Sequence, residues 1–175
     1  GVEVKFVTAS GQLAADEEEG EVWVKAPATT SGYYKAADLT ATAFVDGFFR
    51  TGDLGYRDAD GFYYLTGRIK DIIIKGGANI APTEVEDVIC EHPAVQLASV
   101  IGIPDPKFGE QPFAYFVTTA GKQVSAEELA AHCRAKLAEF KVPVSFIQLS
   151  EMPLGSTSKI DKKALFNIWK EAQDA

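Results

Sequence analysis

The first part of the chain alternates hydrophobic and polar residues, as expected for strands that bury one face. The alternation runs over Val2–Phe6 and again over Val22–Val24. Asp38 is a suitable N-cap for a short helix over Leu39–Phe44. These patterns predict a small β-rich subdomain over residues 1–68.

From residue 69 the pattern changes, because short apolar segments alternate with amphipathic helical ones. The predicted strands cover Ile72–Ile74, Val95–Ile103, Phe113–Thr119 and Val144–Leu149, and helices begin at Pro82, after Ser125 and after Asp161. Residues 69–175 are therefore predicted to form a second unit, with a small sheet flanked by helices. The fold class that the whole chain predicts is α+β.

Two of the predicted helices carry sequence signals at their first turns. Ser125 and Glu128 have the spacing of a capping box, and Asp161 is a suitable N-cap for the last helix. In that last helix we expect the core face to consist of Leu165, Ile168 and Trp169.

Residues 50–77 hold the first candidate for chemistry. Asp58–Gly61 has the composition of a hairpin turn between two apolar segments, so the hairpin would bring Asp53 and Arg68 to the same edge. There a carboxylate can accept hydrogen bonds from the two hydroxyls of a ribose, and a guanidinium can donate to the same sugar. Taken alone, the residues favour a surface salt bridge that closes the hairpin over a ribose site.

The second candidate is a loop of small residues that ends in a lysine. Pro153–Lys159 is rich in Gly, Ser and Thr, and such a flexible loop lets an ammonium group reach a partner surface. A solvated loop lysine without a function fits the same residues, so the pattern alone leaves both interpretations open.

Composition excludes some partners and indicates a compartment. The chain has 175 residues, a net charge of −8 and no block of Lys or Arg, which argues against nucleic acid or an anionic membrane as a partner. There is no transmembrane run and no signal peptide. Cys90 and Cys133 fall inside helical patterns and do not suggest a disulfide framework, which fits the cytoplasm. Because the chain opens inside a strand pattern without Met, we expect it to be part of a longer protein.

Four segments together resemble the late motifs of the adenylate-forming enzymes, the superfamily of acyl-CoA synthetases, peptide-synthetase adenylation domains and beetle luciferases. The segments are Phe49–Leu54, Gly67–Asp71, Lys75–Glu86 and Pro153–Lys163, in the order and spacing of that family. The resemblance implies that residues 1–68 are the β-rich tail of the AMP-binding N-terminal domain. It implies that residues 69–175 are the mobile C-terminal domain.

The resemblance also implies roles for individual residues. Asp53 and Arg68 match the positions that bind the ribose of ATP or AMP, and Lys70 matches the hinge between two poses of the C-terminal domain. Gly76 and Gly77 match a turn that lines the tunnel for the pantetheine arm of CoA. Lys159 matches the catalytic lysine that contacts the carboxylate substrate and the α-phosphate. The chain departs from the family pattern at two positions of this loop, with Gly155 for a common Thr and Ser158 for Gly.

The implied activity is that of an acyl-CoA synthetase, which forms an acyl-adenylate from ATP and a carboxylic acid and then transfers the acyl group to CoA. The details of the motifs favour a fatty or related acid. ATP, CoA and Mg²⁺ are the expected cofactors, with Mg²⁺ bound mainly by the absent N-terminal domain, and no residue of this chain is predicted to be a metal ligand. The family's phosphate loop does not occur here, so we expect the chain alone to be inactive.

Two other functions stay open. The chain could be a binding or interaction module derived from this family and without chemistry, although retention of Asp53, Arg68 and Lys159 together favours the enzyme. It could also belong to an adenylation domain that loads a carrier protein in place of CoA. Cations near Lys75 that suit the CoA phosphates would favour CoA over a carrier protein.

Overall fold

The structure, a computed structural model, describes residues 1–173 and divides into two compact units. The first runs from Gly1 to Lys70 and the second from Asp71 onward. The predicted boundary after residue 68 lies two residues before this division. The α+β fold class is confirmed, since each unit contains an antiparallel or mostly antiparallel five-stranded sheet accompanied by helix.

The first unit contains a five-stranded antiparallel sheet. Its strands are β1 (Glu3–Val7), β2 (Gly20–Lys25), β3 (Phe44–Val45), β4 (Phe48–Arg57) and β5 (Tyr63–Arg68), and its helix is α1 (Ala37–Ala43). Strand β4 is the longest of these and pairs with β2, β3 and β5. Phe6 and Val22 are buried, as the alternating pattern predicts. Val7, next to Phe6, is buried as well and Val2 is exposed, so the alternation does not hold at the ends of β1.

Helix α1 begins earlier than predicted. The prediction of Asp38 as its N-cap is wrong, because Ala36 occupies that position and makes no side-chain capping hydrogen bond. Asp38 lies instead inside the first turn, where its charge is favourable next to the positive end of the helix.

The second unit contains a five-stranded sheet with helices on both faces. Its strands are β6 (Ile73–Lys75), β7 (Ala78–Ile80), β8 (Val95–Asp105), β9 (Gly109–Thr118) and β10 (Phe146–Gln148). Its helices are α2 (Pro82–Cys90), α3 (Ala126–Arg134) and α4 (Lys162–Gln173), with a short 3-10 helix over Glu139–Lys141. The strand order is β10-β9-β6-β7, with β8 antiparallel to β9 and β10 parallel to it. A further 3-10 helix, Ile69–Asp71, spans the boundary between the units.

Two hydrophobic clusters hold the second unit together, one on each face of the β8–β9 hairpin. Alternate residues of β9 point to opposite faces, so Ala114 and Phe116 join one cluster while Phe113 and Tyr115 join the other. The first cluster includes helices α2 and α3 through Val85, Ile89, Leu129 and Cys133, and the second includes α4 through Leu165. The sheet is therefore buried on both faces, as the predicted flanking helices require.

The predicted helix starts are confirmed. Ser125 Oγ accepts the amide of Glu128 at 3.1 Å, and Glu128 Oε2 accepts the amide of Ser125 at 2.8 Å, which completes the capping box. Asp161 Oδ1 accepts two amides in the first turn of α4, at 3.0 and 3.1 Å. The predicted core face of α4 is wrong at Ile168, which is exposed, because it lies off the stripe formed by the i, i+4 pair Leu165 and Trp169.

Two strand boundaries also differ from the prediction. Strands β8 and β9 extend through most of the predicted loop 104–110, because their ladder continues to the pair Asp105 and Gly109. Strand β10 is shorter than predicted, since only Phe146–Gln148 pair with β9. None of the helices in residues 1–173 combines the length and apolar composition that crossing a bilayer requires.

The two cysteines test the burial of the first cluster. Cys133 is fully buried, and burial raises the pKa of its thiol to about 11. At neutral pH this pKa leaves about 10²-fold less thiolate than an ordinary cysteine has, and the thiolate is the reactive form. The pKa of Cys90 is raised too, through partial burial, but its side chain is exposed at the end of α2.

We therefore expect an aromatic disulfide reagent to modify one thiol of the native protein at neutral pH, that of Cys90. Cys133 should react only when the domain opens, and both thiols should react in denaturant. In the variant Cys90→Ser, native labelling should disappear while one thiol still appears on unfolding. Equal labelling rates for both thiols in the native protein would contradict the packing described for α3.

Candidate functional site

The β4–β5 hairpin brings Asp53 and Arg68 together, as the sequence predicts. The two residues are register partners, and Arg68 Nε donates to Asp53 Oδ1 at 2.7 Å. Asp58 shapes the turn of the hairpin, because its side chain accepts the amide of Phe62 at 2.8 Å and its carbonyl accepts that of Gly61. Both members of the pair are partly exposed, and within residues 1–173 the second carboxylate oxygen of Asp53 has no hydrogen-bond partner. That oxygen can accept a hydroxyl group from a ligand.

Residues 51–53 form a bulge in β4, because the register between β4 and β2 shifts there. Gly52 has a φ of 73°, which favours glycine. Thr51 Oγ1 donates to the carbonyl of Val22 at 2.8 Å and accepts the amide of Asp53 at 3.0 Å. The side chain of Thr51 thus replaces backbone pairing that the bulge interrupts. The bulge turns the chain immediately before Asp53.

Gly76 and Gly77 form the two-residue turn between β6 and β7. Their φ angles are 59° and 85°, and two positive values in a two-residue hairpin are typical of a type I′ turn. The turn is anchored by the amide of Gly76, which donates to the carbonyl of Phe108 at 2.7 Å. A Cβ atom added to Gly77 would meet nothing within 4 Å in this unit, so its backbone is open to approach.

A cavity of about 790 Å³ lies beside this turn within the second unit. Its lining includes two cations, Lys75 and Arg134, and two aromatic rings, Phe108 and Phe140; the remaining lining residues are Gly76, Ala78, Glu139, Val142, Pro143 and Val144. The sequence pattern pointed only to Lys75, because the other charged and aromatic lining residues are scattered over three separate segments. No local motif predicts their convergence.

The loop that carries Phe108 is held by Asp105. Its Oδ1 accepts the amides of Lys107 at 2.9 Å and Phe108 at 2.7 Å, and its other oxygen accepts a hydrogen bond from Gln111. The hydrogen bond from Gln111, followed by that from the Phe108 amide, lowers the pKa of Asp105 below its usual value. The carboxylate therefore stays ionised and keeps Phe108 in place beside the cavity.

Lys159 closes the loop of a short hydrogen-bonded hairpin. The amide of Ser158 donates to the carbonyl of Gly155 at 3.0 Å, and the amide of Gly155 donates to the carbonyl of Lys159 at 2.8 Å. These bonds match the three-residue hairpin loop that consists of a type I turn followed by a left-handed residue. Ser158 is that residue, with a φ of 58°. Lys159 itself is exposed, and in the described part of the chain its ammonium group has no ion-pair partner.

The predicted site residues thus fall into separate groups. Asp53 and Arg68 are paired in the first unit, and Lys70 is exposed in the 3-10 helix Ile69–Asp71 where the first unit ends. Gly76, Gly77 and Lys159 lie on two different turns of the second unit. Residues 1–173 contain no group of three or more His, Cys, Asp or Glu side chains that could hold a metal ion.

Comparison with known protein families identifies one domain. Residues 84–159 match the AMP-binding enzyme C-terminal domain. The matched segment includes most of helix α2, all of α3, the β8–β9 hairpin and the loop that ends at Lys159.

Three similar proteins are CoA ligases. The chain is 41% identical over 168 residues to a sulfoacetate–CoA ligase from Cupriavidus necator, covering 95% of this chain and 33% of the relative. It is 44% identical over 160 residues to a 2-succinylbenzoate–CoA ligase from Bacillus velezensis, covering 91% and 32%. A long-chain-fatty-acid–CoA ligase from Bacillus subtilis is 43% identical over 156 residues, with 89% and 28% covered.

Solved structures show the same fold. An amide bond synthetase from Marinactinospora thermotolerans matches with a TM-score of 0.91 and 38% identity, covering 95% of this chain and 34% of that one. The o-succinylbenzoate CoA synthetase from Bacillus subtilis, in complex with its acyl-adenylate intermediate, matches with a TM-score of 0.86 and 40% identity, covering 94% and 33%. The chain spans about a third of the length of the relatives it matches. Over residues 84–159 the chain carries the AMP-binding enzyme C-terminal domain, and along most of its length it is similar to CoA ligases of the adenylate-forming superfamily.

Proposed function

We propose that this chain is the C-terminal part of an ATP-dependent acid–thiol ligase, called here the parent protein. In the first step a carboxylate oxygen attacks the α-phosphorus of ATP, and the bond to pyrophosphate breaks to leave an acyl-adenylate. In the second step the thiolate of CoA attacks the acyl carbon, and AMP leaves. The observation that carries this proposal is the Asp53–Arg68 pair, which a bulge and a hairpin present at one edge of the first unit.

The pair has the chemistry of a ribose clamp. One oxygen of Asp53 is held by Arg68 at 2.7 Å, and the other is available to accept hydroxyl hydrogens from a vicinal diol. An isolated surface ion pair contributes little to stability, so closing the hairpin is a weak reason for this arrangement. A carboxylate fixed in orientation by its partner is well suited to bind the ribose of ATP and AMP.

Lys159 is proposed as the catalytic cation of the first step. Its ammonium group is exposed on a short hairpin, and it can stabilise the negative charge that develops between the carboxylate and the α-phosphate. Mg²⁺ would accompany ATP and would be bound mainly by residues outside this chain. The 175 residues alone lack the phosphate loop of the family, so we expect no AMP formation from them.

The thiol acceptor is proposed to be CoA rather than a carrier protein. The cavity beside Gly76 and Gly77 presents Lys75, two phenylalanine rings and Arg134, whose Nε lies 3.7 Å from Oε1 of Glu139 in the same lining. Cations of this kind suit the phosphates of CoA, and aromatic rings suit its adenine. The same cations and the Asp53–Arg68 pair disfavour an interaction module without chemistry, which has no need of either.

The acid substrate is proposed only as a carboxylic acid, with fatty acids as one candidate. The names of the relatives include sulfoacetate, 2-succinylbenzoate and long-chain fatty acids, so similarity does not select the fatty class. The two free thiols fit a reducing compartment such as the cytoplasm.

The first prediction separates the two half-reactions in the parent protein. Lys159→Ala should lower acyl-adenylate formation by about 10²–10³-fold, because a single electrostatic contact to a transition state is commonly worth that much. It should still convert preformed acyl-adenylate and CoA to thioester. Gly77→Leu should retain pyrophosphate exchange and lose thioester formation, because the side chain would enter the path of the thiol.

Two matched controls accompany that experiment. Lys163→Ala removes an exposed lysine four residues away, and it should change neither step. Gly121→Leu imposes the same backbone strain as Gly77→Leu, since Gly121 has a φ of 75° and an open surface, but away from the β6–β7 turn. Equal loss of both steps in Lys159→Ala and in Gly77→Leu would refute the assignment of separate roles.

The second prediction concerns Lys70, which we propose as the pivot between the poses of the two half-reactions. A pivot must change its backbone angles, and proline restricts φ to about −65°. Lys70→Pro should therefore slow thioester formation more than adenylation, whereas Lys70→Ala should leave their ratio close to that of the wild type. Single-turnover rates of each step measure this ratio. An unchanged ratio in Lys70→Pro would remove Lys70 from the mechanism.

The third prediction tests the acceptor. Removing the cations of the cavity with Lys75→Ala or Arg134→Ala should raise the KM for CoA by roughly 10-fold, because hydrogen bonds to charged groups are the strong ones. The increase should be smaller for dephospho-CoA, which already lacks one phosphate. Lys170→Ala, an exposed lysine of α4, serves as the control. Equal effects on CoA and dephospho-CoA would argue that the cavity does not bind the nucleotide end.

A further inference from the structure

Glu21 is a buried carboxylate that the proposed mechanism does not use. It lies on β2 with 9% of its surface exposed, and it is the most deeply buried charged side chain in residues 1–173. A buried charge is costly unless it is paired and hydrogen-bonded. Its partners therefore indicate why it is there.

The two oxygens of Glu21 have different partners. Oε2 accepts a hydrogen bond from Trp23 Nε1 at 2.9 Å, and it accepts from Arg50 through Nε at 3.0 Å and Nη2 at 2.9 Å. Oε1 accepts the backbone amide of Gly52 at 3.3 Å. Arg50 neutralises the charge and Trp23 fixes the orientation, while the remaining oxygen is directed to the backbone of β4.

Gly52 is the central residue of the bulge and lies immediately before Asp53. A bulge interrupts the ladder between two strands, so its amides need partners from elsewhere. Two side chains provide them here, since Thr51 Oγ1 accepts the amide of Asp53 and Glu21 accepts the amide of Gly52. Thr51 also ties the bulge to β2, because its hydroxyl donates to the carbonyl of Val22 at 2.8 Å. Glu21 is the contact by which β2 holds the backbone amide of Gly52 itself.

We infer that Glu21 is a positioning residue for the nucleotide site. By holding the Gly52 amide, it fixes the direction in which Asp53 leaves the bulge, and so it keeps the carboxylate of Asp53 paired with Arg68 and turned to the ribose. This inference rests on the proposed function, because it needs Asp53 to be the residue that contacts the ribose hydroxyls.

A purely structural role for Glu21 and a positioning role would give different experimental results. If Glu21 only joined β2 to β4 through Arg50, its loss would lower the free energy of unfolding and would leave the ratio of affinities for different nucleotides unchanged. A positioning role instead requires a local change at Gly52 and a change in how the site distinguishes ribose from 2′-deoxyribose. Both quantities can be measured apart from stability.

The first measurement is amide hydrogen exchange in the 175-residue chain. Glu21→Ala removes the acceptor, so the Gly52 amide should exchange roughly tenfold faster or more, while amides of β8 and β9 keep their protection. Glu21→Gln retains the shape and one acceptor oxygen but loses the charge opposite Arg50, and it should give a smaller increase. Unchanged exchange at Gly52 in Glu21→Ala would overturn the inference.

The second measurement compares ATP with 2′-deoxy-ATP in the parent protein. A site that hydrogen-bonds a hydroxyl discriminates against the analogue that lacks it, so the ratio of the two KM values reports on Asp53. Glu21→Ala should lower this preference for ATP by roughly tenfold, toward the value of Asp53→Asn. The control Asp16→Ala breaks the exposed ion pair with Arg57, which lies in the same unit, and should change neither measurement.

The arms of this experiment separate the two proposals. If Asp53→Asn leaves the preference for ATP unchanged, the proposed ribose site fails. If Asp53→Asn abolishes the preference while Glu21→Ala and Glu21→Gln retain it, the ribose site stands and the role of Glu21 is wrong. Failure of both Glu21 variants to fold would also overturn the inference, because Glu21 would then be required for the sheet rather than for the direction of Asp53.

Discussion

The register of β4 is the constraint on which the candidate nucleotide site depends. This strand pairs with β2 on one side and β5 on the other, and its two registers set where Asp53 stands relative to Arg68. A slip of one residue in a sheet reverses the face of every side chain, so the hairpin turn at Asp58 has to be exact. The bulge at residues 51–53 adds a local change of direction that regular pairing does not allow. The position of this exposed ion pair thus depends on the strand pairing of the sheet.

In the second unit, exposed turns are likewise attached to a well-packed sheet. The β8–β9 hairpin is buried on both faces, and the β6–β7 turn with Gly76 is tied to it through the carbonyl of Phe108. The Lys159 hairpin is followed at once by α4, whose first residue, Lys162, donates to Glu86 at 2.8 Å and to the carbonyl of Val100 at 3.0 Å. Lys159, which closes the loop of this hairpin, can therefore present its ammonium group close to a segment that is held on the core.

Local signals predicted much of this architecture, and non-local ones were missed. The hairpin around Asp58, the capping box at Ser125 and the N-cap at Asp161 each depend on residues within one turn, so the sequence shows them directly. The hydrogen bond from the Gly52 amide to Glu21 joins residues on different strands. A backbone amide leaves no pattern in the sequence, so its partner could not be predicted. The cavity beside Gly76 likewise depends on residues from separate segments. Such features follow from packing, which periodicity alone does not specify.

Charge explains how an acidic chain can bind anionic ligands. The net charge is −8, so the overall field opposes polyanions such as nucleic acid. Each candidate site nevertheless presents its own cation, Arg68 at the hairpin edge, Lys75 with Arg134 at the cavity, and Lys159 on its loop. Salt screens exposed charges beyond about 10 Å, so a small anion in contact with one of these groups interacts mainly with that group. Specific recognition of phosphate and carboxylate therefore needs well-placed cations rather than a basic protein, and such cations would allow this acidic chain to bind the ligands proposed for it.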